Sequence, residues 1–341
     1  MSKRALFIGG SVNQTKQVLA VADALPEVDA YFTPYYCDGL MEVARRLGLL
    51  EWTVIGDSWR KHSIDLLRKR NVKMDADGRS GNWDLVVTAS DLVIPHNIRH
   101  SRIVLVQEGM TDPEGFGFQL RRFLPFLPVW VAGTAGTGTS GMYDRFCVAS
   151  DGYRDLFIGK GAPAERVVVT GIPNFDDCAS YRNNEFPHRD YVLVCTSDTR
   201  ETFKRDNRAD FLRHCVKIAA GRPLIFKLHP NENVERNTKE IAEVVPDALV
   251  FAKGSAEEMV ANCATLIVQY STLAYVGLAL GKEVFAYTDL ALLRRLLPVQ
   301  GGRAAERIAG VCRDVLRQPV EELLAAREGI AEAVQPAEVV P

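Results

Sequence analysis

Apolar runs of β-type residues alternate with segments of helical period along almost all of this 341-residue chain, and that alternation restricts the fold most. Stacked strand–helix–strand units of this kind build a parallel sheet covered by helices. In the first half, strands are expected at Ala5–Ile8, Ala30–Pro34, Asp84–Thr88, Ile103–Val106, Arg145–Ala149 and Val167–Thr170. Helices are expected at about Asn13–Leu25, Leu40–Leu50, Ile64–Arg70 and Asp151–Gly161. Asp176–Arg189 is polar and aperiodic and reads as a linker, after which the rhythm restarts. Strands then fall at Tyr191–Cys195, Leu224–Leu228, Ala248–Phe251, Thr265–Val268 and Glu283–Tyr287. Helices fall at about Asp206–Ala220, Glu235–Val244, Ala256–Asn262, Leu273–Leu280 and Arg303–Arg317. The chain reads as α/β, with two Rossmann-like domains at 1–178 and 190–317 and a helical tail at 318–341. Two such halves place a cleft between them, a common location for ligand sites.

Composition narrows the function classes. Charged residues are 25% of the chain and the net charge is −2, so no broad basic field attracts nucleic acid. The seven cysteines are scattered without a C-x-x-C pair, which speaks against a disulfide framework or structural zinc and fits a reducing cytoplasm. His96 and His100 lie four apart, but nothing like H-E-x-x-H occurs, and no metal site is expected. G-x-S-x-G and the phosphate-loop motif G-x-x-x-x-G-K-[ST] are both missing from the sequence. The apolar start of the chain is too short for a signal-peptide core, and no stretch could span a bilayer.

Polar residues recur where strands end, which is where ligands bind in open parallel sheets. Phe226–Val234 runs F-K-L-H-P-N-E-N-V: a strand that breaks at a cation, an imidazole and a carboxamide. Lys227, His229 and Asn231 suit an anion such as a nucleotide diphosphate; the alternative is a plain strand-to-helix turn. Gln269, Tyr270, Ser271 and Thr272 follow another strand and open a helix, offering more hydroxyls than a cap requires. Thr196, Ser197, Asp198 and Arg200 follow the first strand of the second half, and Arg200 could pair with phosphate. In the first half, Gly9, Gly10 and Ser11 form a tight turn whose N–H groups either face a ligand anion or serve the turn alone. Asp91 and Glu108 end two further strands and could act as acid and base. Gly115–Gly141 is dense in glycine and reads as a mobile loop. Its apolar part either packs in the core, the arrangement we expect, or forms an exposed patch that touches lipid or a partner.

These residues, in this order, resemble the non-hydrolysing UDP-N-acetylglucosamine 2-epimerases and related GT-B glycosyltransferases. The family's V-E-A-G-L-R is similar to Val106–Thr111, V-Q-E-G-M-T, and its H-P-N-P-N-V to His229–Val234. Ser150–Asp176 ends V-V-V-T-G-I-P-N-F-D, like the family's V-x-V-T-G-N-x-x-x-D, and Asp198–Phe203, D-T-R-E-T-F, resembles H-R-R-E-S/N-F. The epimerase D-S-G-G-x-x-E-E is replaced by Gln269–Gly277, which looks more like capsule and teichoic-acid transferases. The resemblance implies a GT-B-like pair of domains facing across a cleft, with a final helix crossing back to the first domain. It implies a glycosyltransferase of surface polysaccharide or glycolipid assembly, with 2-epimerisation as the alternative and non-catalytic binding as the third. The partners implied are a nucleotide-sugar donor and a sugar or lipid-linked acceptor near a membrane surface. Arg200, Lys227, His229, Ser271 and Thr272 would neutralise the diphosphate without metal or other cofactor.

Overall fold

The computed structural model describes residues 2–51, 53, 55–197 and 207–334, so the expected site residues Asp198 and Arg200 lie outside the described residues. The chain forms two compact units, one of Met1–Asp176 with Gly301–Pro341, the other of Asp177–Gln300.

Unit 1 is built in chain order from β1 (Arg4–Gly9), α1 (Val12–Asp23), β2 (Asp29–Pro34), α2 (Gly39–Arg46), α3 (Asp57–Lys69) and β3 (Leu85–Thr88). It continues with β4 (Arg102–Val106), α4 (Phe116–Phe123), β5 (Arg145–Val148), α5 (Asp151–Gly159) and β6 (Val167–Val169). The six strands are all parallel, in the order β2-β1-β3-β4-β5-β6. Every residue of β3 is buried, as continuous apolar runs are when helices cover both faces of a sheet. Close seating of α1 requires Gly9, because a Cβ there would lie 2.7 Å from the Thr15 Cα. Gly9→Ala should therefore cost about 1–3 kcal/mol by overpacking, and an unchanged urea midpoint would show that α1 has room to move.

Unit 2 comprises β7 (Val192–Cys195), α6 (Arg208–Ala219), β8 (Leu224–Lys227), α7 (Val234–Val244), β9 (Leu249–Phe251) and α8 (Ala256–Asn262). It ends with β10 (Thr265–Val268), α9 (Leu273–Ala279), β11 (Glu283–Phe285) and α10 (Leu290–Leu296). Its sheet is also all-parallel, in the order β11-β10-β7-β8-β9. The direction of winding reverses between β7 and β10, so that pair marks a topological switch point, where open sheets leave a crevice at their carboxyl ends.

Two expectations are corrected. The helix at 303–317 belongs to unit 1 rather than to the second domain: α11 (Ala304–Arg317) packs on α1, β4 and β5. Its buried face, with Ile308, Ala309, Cys312 and Val315, joins the core that contains Val18, Val104 and Val106. The following α12 (Val320–Val334) lies in unit 1 as well. Gly115–Gly141 is not a loop throughout, since α4 and a 3-10 segment at Val129–Gly136 occupy much of it. Nor does its apolar part go into the main core: only Phe118, Ala132 and Ala135 are buried together, while Phe116, Phe123, Phe126 and Trp130 are exposed.

Candidate functional site

In unit 2 the expected residues gather around the switch point. β7 leads into Thr196 and Ser197 and β10 into Gln269, and the Ser197 hydroxyl donates to Gln269 Oε1 at 2.6 Å, joining the two strand ends. All three side chains are buried. Next to β7, the carboxyl end of β8 leads into His229, which is half-buried, and Asn231, which is exposed. The Asn231 backbone N–H donates to His229 Nδ1 at 3.3 Å. An amide can only donate, so the neutral ring carries its proton on Nε2, a hydrogen-bond donor.

The residue that organises this corner is one the sequence reading passed over. Glu232, with its side chain fully buried, accepts from the Arg208 guanidinium at 2.6 Å, from the His229 backbone N–H at 2.8 Å and from the Thr196 hydroxyl. One carboxylate thus ties together the ends of β7 and β8 and the start of α6. Its only trace in the sequence is a carboxylate three residues after the imidazole, the spacing that lets a side chain reach back to a turn's N–H.

Lys227 is differently placed from expectation. Its ammonium is buried and donates to the Leu228 and Ala252 carbonyls at 2.9 and 3.2 Å, so it holds strand ends instead of presenting a cation at the surface. Ser271 and Thr272 are half-buried at the start of α9. The Ser271 hydroxyl accepts from Leu273 N–H at 3.3 Å, and Thr272 makes no side-chain cap bond. Beside them Tyr270 is 61% and Tyr287 51% exposed, with their rings edge to face at 5.7 Å.

In unit 1, Ser11 and Glu108 meet at the carboxyl ends of β1 and β4. The Ser11 hydroxyl donates to Glu108 Oε1 and Gln14 Nε2 donates to Oε2, both at 2.7 Å, which fixes a half-buried carboxylate in orientation. Each oxygen keeps acceptor capacity beyond these bonds. Gln107, its neighbour, is buried and structural: its side chain bridges the Gly109 carbonyl and the Ala149 N–H. The turn before α1 is not an open anion cradle. The N–H groups of Gly10 and Ser11 both donate to Gln14 Oε1, at 2.7 and 3.2 Å, completing a capping box.

Asp91 also departs from expectation. It is 1% exposed, and its carboxylate accepts from the N–H groups of Gly138 at 2.9 Å and Ser140 at 3.2 Å. Burial raises its pKa, against the lowering effect of those hydrogen bonds. Asp91 is a loop anchor beside a groove of about 340 Å³ that Asp38, Met41, Pro128 and Trp130 also line. Among the described residues no cluster of His, Cys, Asp and Glu could hold a metal ion, and no helix is long and apolar enough to cross a membrane.

No family model matches the chain, and no curated protein matches it either. Solved structures do. HepE from Anabaena in complex with UDP aligns over 97% of this chain and 95% of its own, at 12% identity and a TM-score of 0.51. UDP-N-acetylglucosamine 2-epimerase from Neisseria meningitidis bound to UDP-GlcNAc aligns over 97% and 99%, at 12% identity and a TM-score of 0.50. The wall teichoic acid polymerase TagF aligns over 94% and 89%, at 9% identity and a TM-score of 0.52. Likeness at such identities is one of fold. With two all-parallel sheets and full-length alignment to these proteins, the chain has the GT-B fold and resembles the UDP-N-acetylglucosamine 2-epimerases and the teichoic acid polymerase that share it.

Proposed function

We propose that the protein is a nucleotide-sugar enzyme that transfers the sugar to an acceptor hydroxyl. The observation that carries this reading is the Ser197–Gln269 bond across the β7/β10 switch point, with His229, Ser271 and Thr272 placed around it. Donors in that position suit the oxygens of a leaving diphosphate, and the exposed Tyr270 offers a ring face on which a base can stack. Neighbours of the same fold hold UDP or UDP-GlcNAc, which supports this choice of ligand.

Transfer is favoured over 2-epimerisation by the unequal placement of the two carboxylates. Deprotonating an acceptor needs one positioned base, and Glu108 is oriented and half-buried. Epimerisation by proton removal and return calls on a second group, and Asp91 is committed to the Gly138 and Ser140 amides.

Calorimetry with UDP and CDP and an assay of donor turnover test this together. Nucleotide is expected to bind, and His229→Ala to weaken it by about 10- to 100-fold, as loss of a hydrogen bond to a charged group does. Glu108→Gln should leave binding intact and abolish acceptor-stimulated nucleotide release. Deuterium at sugar C2 after incubation with UDP-N-acetylglucosamine in deuterated water would instead establish epimerisation, and absence of nucleotide binding would end both readings.

A further inference from the structure

We propose that Gln14 and Gln17 of α1 are positioning residues for Glu108, an inference that rests on the reading of Glu108 as the base. Glutamine is ordinarily an exposed residue, yet Gln14, Gln17 and Gln107 are 4%, 0% and 1% exposed around this one half-buried carboxylate. Gln14 and Gln17 lie three apart on the stripe of α1 that Val18 and Val21 continue, where a helix packed on a sheet carries apolar side chains. Burying three amides there is unfavourable unless each is bonded, and a bond from each reaches Glu108 or a residue beside it.

Peptide N–H groups can only donate, so those of Gly10 and Ser11 fix Gln14 Oε1 on the turn and direct its amide nitrogen at Glu108. The Gln14 backbone N–H donates to Ser11 Oγ at 3.0 Å, which turns the hydroxyl proton toward the other Glu108 oxygen. One turn further along α1, Gln17 Nε2 donates to the Gln107 carbonyl at 2.5 Å, and Gln107 Nε2 donates to the Gly109 carbonyl at 2.7 Å. The backbone on either side of Glu108 is thereby held as well. A helix cap does not call for this. Glutamate completes a capping box as well as glutamine does; only the neighbouring carboxylate requires an amide, which accepts on one side and donates on the other. What the amides supply is aim, because displacing a reacting group by about 1 Å can cost about 100-fold in rate.

Gln14→Glu in the full chain separates the two duties. Its carboxylate still accepts from Gly10 and Ser11, so the urea midpoint and nucleotide affinity should stay at parent values, while an oxygen replaces the donor that faces Glu108. Acceptor-stimulated nucleotide release should fall about 10- to 100-fold in kcat, with KM for the nucleotide-sugar unchanged. Gln17→Met should show the same split, and it carries the test if Gln14→Glu fails to fold. Gln14→Leu, which keeps neither the cap nor the donor, should lower the urea midpoint and yet slow release no more than Gln14→Glu does. A merely structural glutamine predicts the opposite order, with Gln14→Glu at the parent kcat and Gln14→Leu impaired, and that order would overturn the proposal. Parent kcat in Gln17→Met would overturn it too. No release by the parent protein would end the reading of Glu108 as a base and this proposal with it, whereas parent release that Gln14→Glu leaves unaltered ends the proposal alone.

Discussion

Replacing Glu232 by alanine is expected to destabilise unit 2 by about 3–5 kcal/mol, the cost of removing one partner from a buried ion pair. Arg208 and Glu232 have side chains 6% and 0% exposed, so the guanidinium would keep its burial and lose its carboxylate. The same change frees the Thr196 hydroxyl and the His229 N–H from their shared acceptor. Nucleotide affinity should fall along with stability, because the turn that places the imidazole loses its anchor. All four tryptophans, at positions 52, 59, 83 and 130, precede Asp177. Intrinsic fluorescence therefore follows unit 1, and hydrogen exchange of the β7 and β8 amides is the measurement for unit 2. Arg208→Met/Glu232→Met should recover much of the stability, since well-packed apolar side chains often replace a buried pair without loss, yet not the nucleotide binding. Unchanged exchange in Glu232→Ala would mean that the carboxylate does not organise this corner.

A loss of similar size, about 3–5 kcal/mol, is expected in unit 1 from Arg327→Ala. Arg327 reaches from α12 into the sheet's amino-terminal edge, where it is 4% exposed against Asp144 at 1%. Its Nε donates to Asp144 Oδ1 at 2.7 Å, and its remaining nitrogens donate to the Arg99 and Ser101 carbonyls at 3.0 and 2.7 Å. Asp144 in turn accepts from the Ile103 N–H at 2.7 Å, beside the start of β4. Removing the arginine takes its hydrogen bonds from both carbonyls and leaves the buried Asp144 carboxylate without its counter-charge, with the Ile103 N–H still bonded to it. Tryptophan fluorescence in urea should report the fall, while exchange in β7 and β8 should be unaltered. A change below about 1 kcal/mol, the value of a solvent-exposed pair, would show that water reaches this cluster.

The strands were legible because a strand covered on both sides carries a continuous apolar run, as Leu85–Val87 of β3 and Ile103–Val106 of β4 do. Short amphipathic helices were harder to read. α10, with Leu290, Leu292 and Leu293 in one turn of chain, lacks the length over which a helical period shows, and α3 begins seven residues earlier than expected, at Asp57. Gly117 misled for a physical reason. A Cβ there would lie 2.2 Å from the Val131 carbonyl oxygen, so the glycine that spoke for a loop is what lets α4 pack.

For the candidate site, strand ends were a sound guide to which residues assemble: Ser197 with Gln269 and Ser11 with Glu108 are bonded pairs 72 and 97 positions apart. What residue type cannot convey is whether a polar group faces outward or is already taken up. Lys227, Asp91 and the Gly10 N–H looked available and are each satisfied internally. Glu232 and Gln14, which do the organising, sit in ordinary helical or turn contexts, and their partners come from other elements.

Unit 2 is inserted into unit 1, and the two crossings of the chain are clamped at one residue. The Asp176 carbonyl accepts from Gly301 and Gly302 N–H at 2.5 and 2.8 Å, and its carboxylate accepts from Ala304 N–H at 2.6 Å. During synthesis the 124-residue insert, Asp177–Gln300, leaves the ribosome whole while the earlier sheet still lacks α11. Until Ile308, Cys312 and Val315 arrive, Val104 and Val106 stay uncovered on that side. The later-made unit is thus able to fold first, and the nascent six-stranded sheet is the stretch most in need of a chaperone.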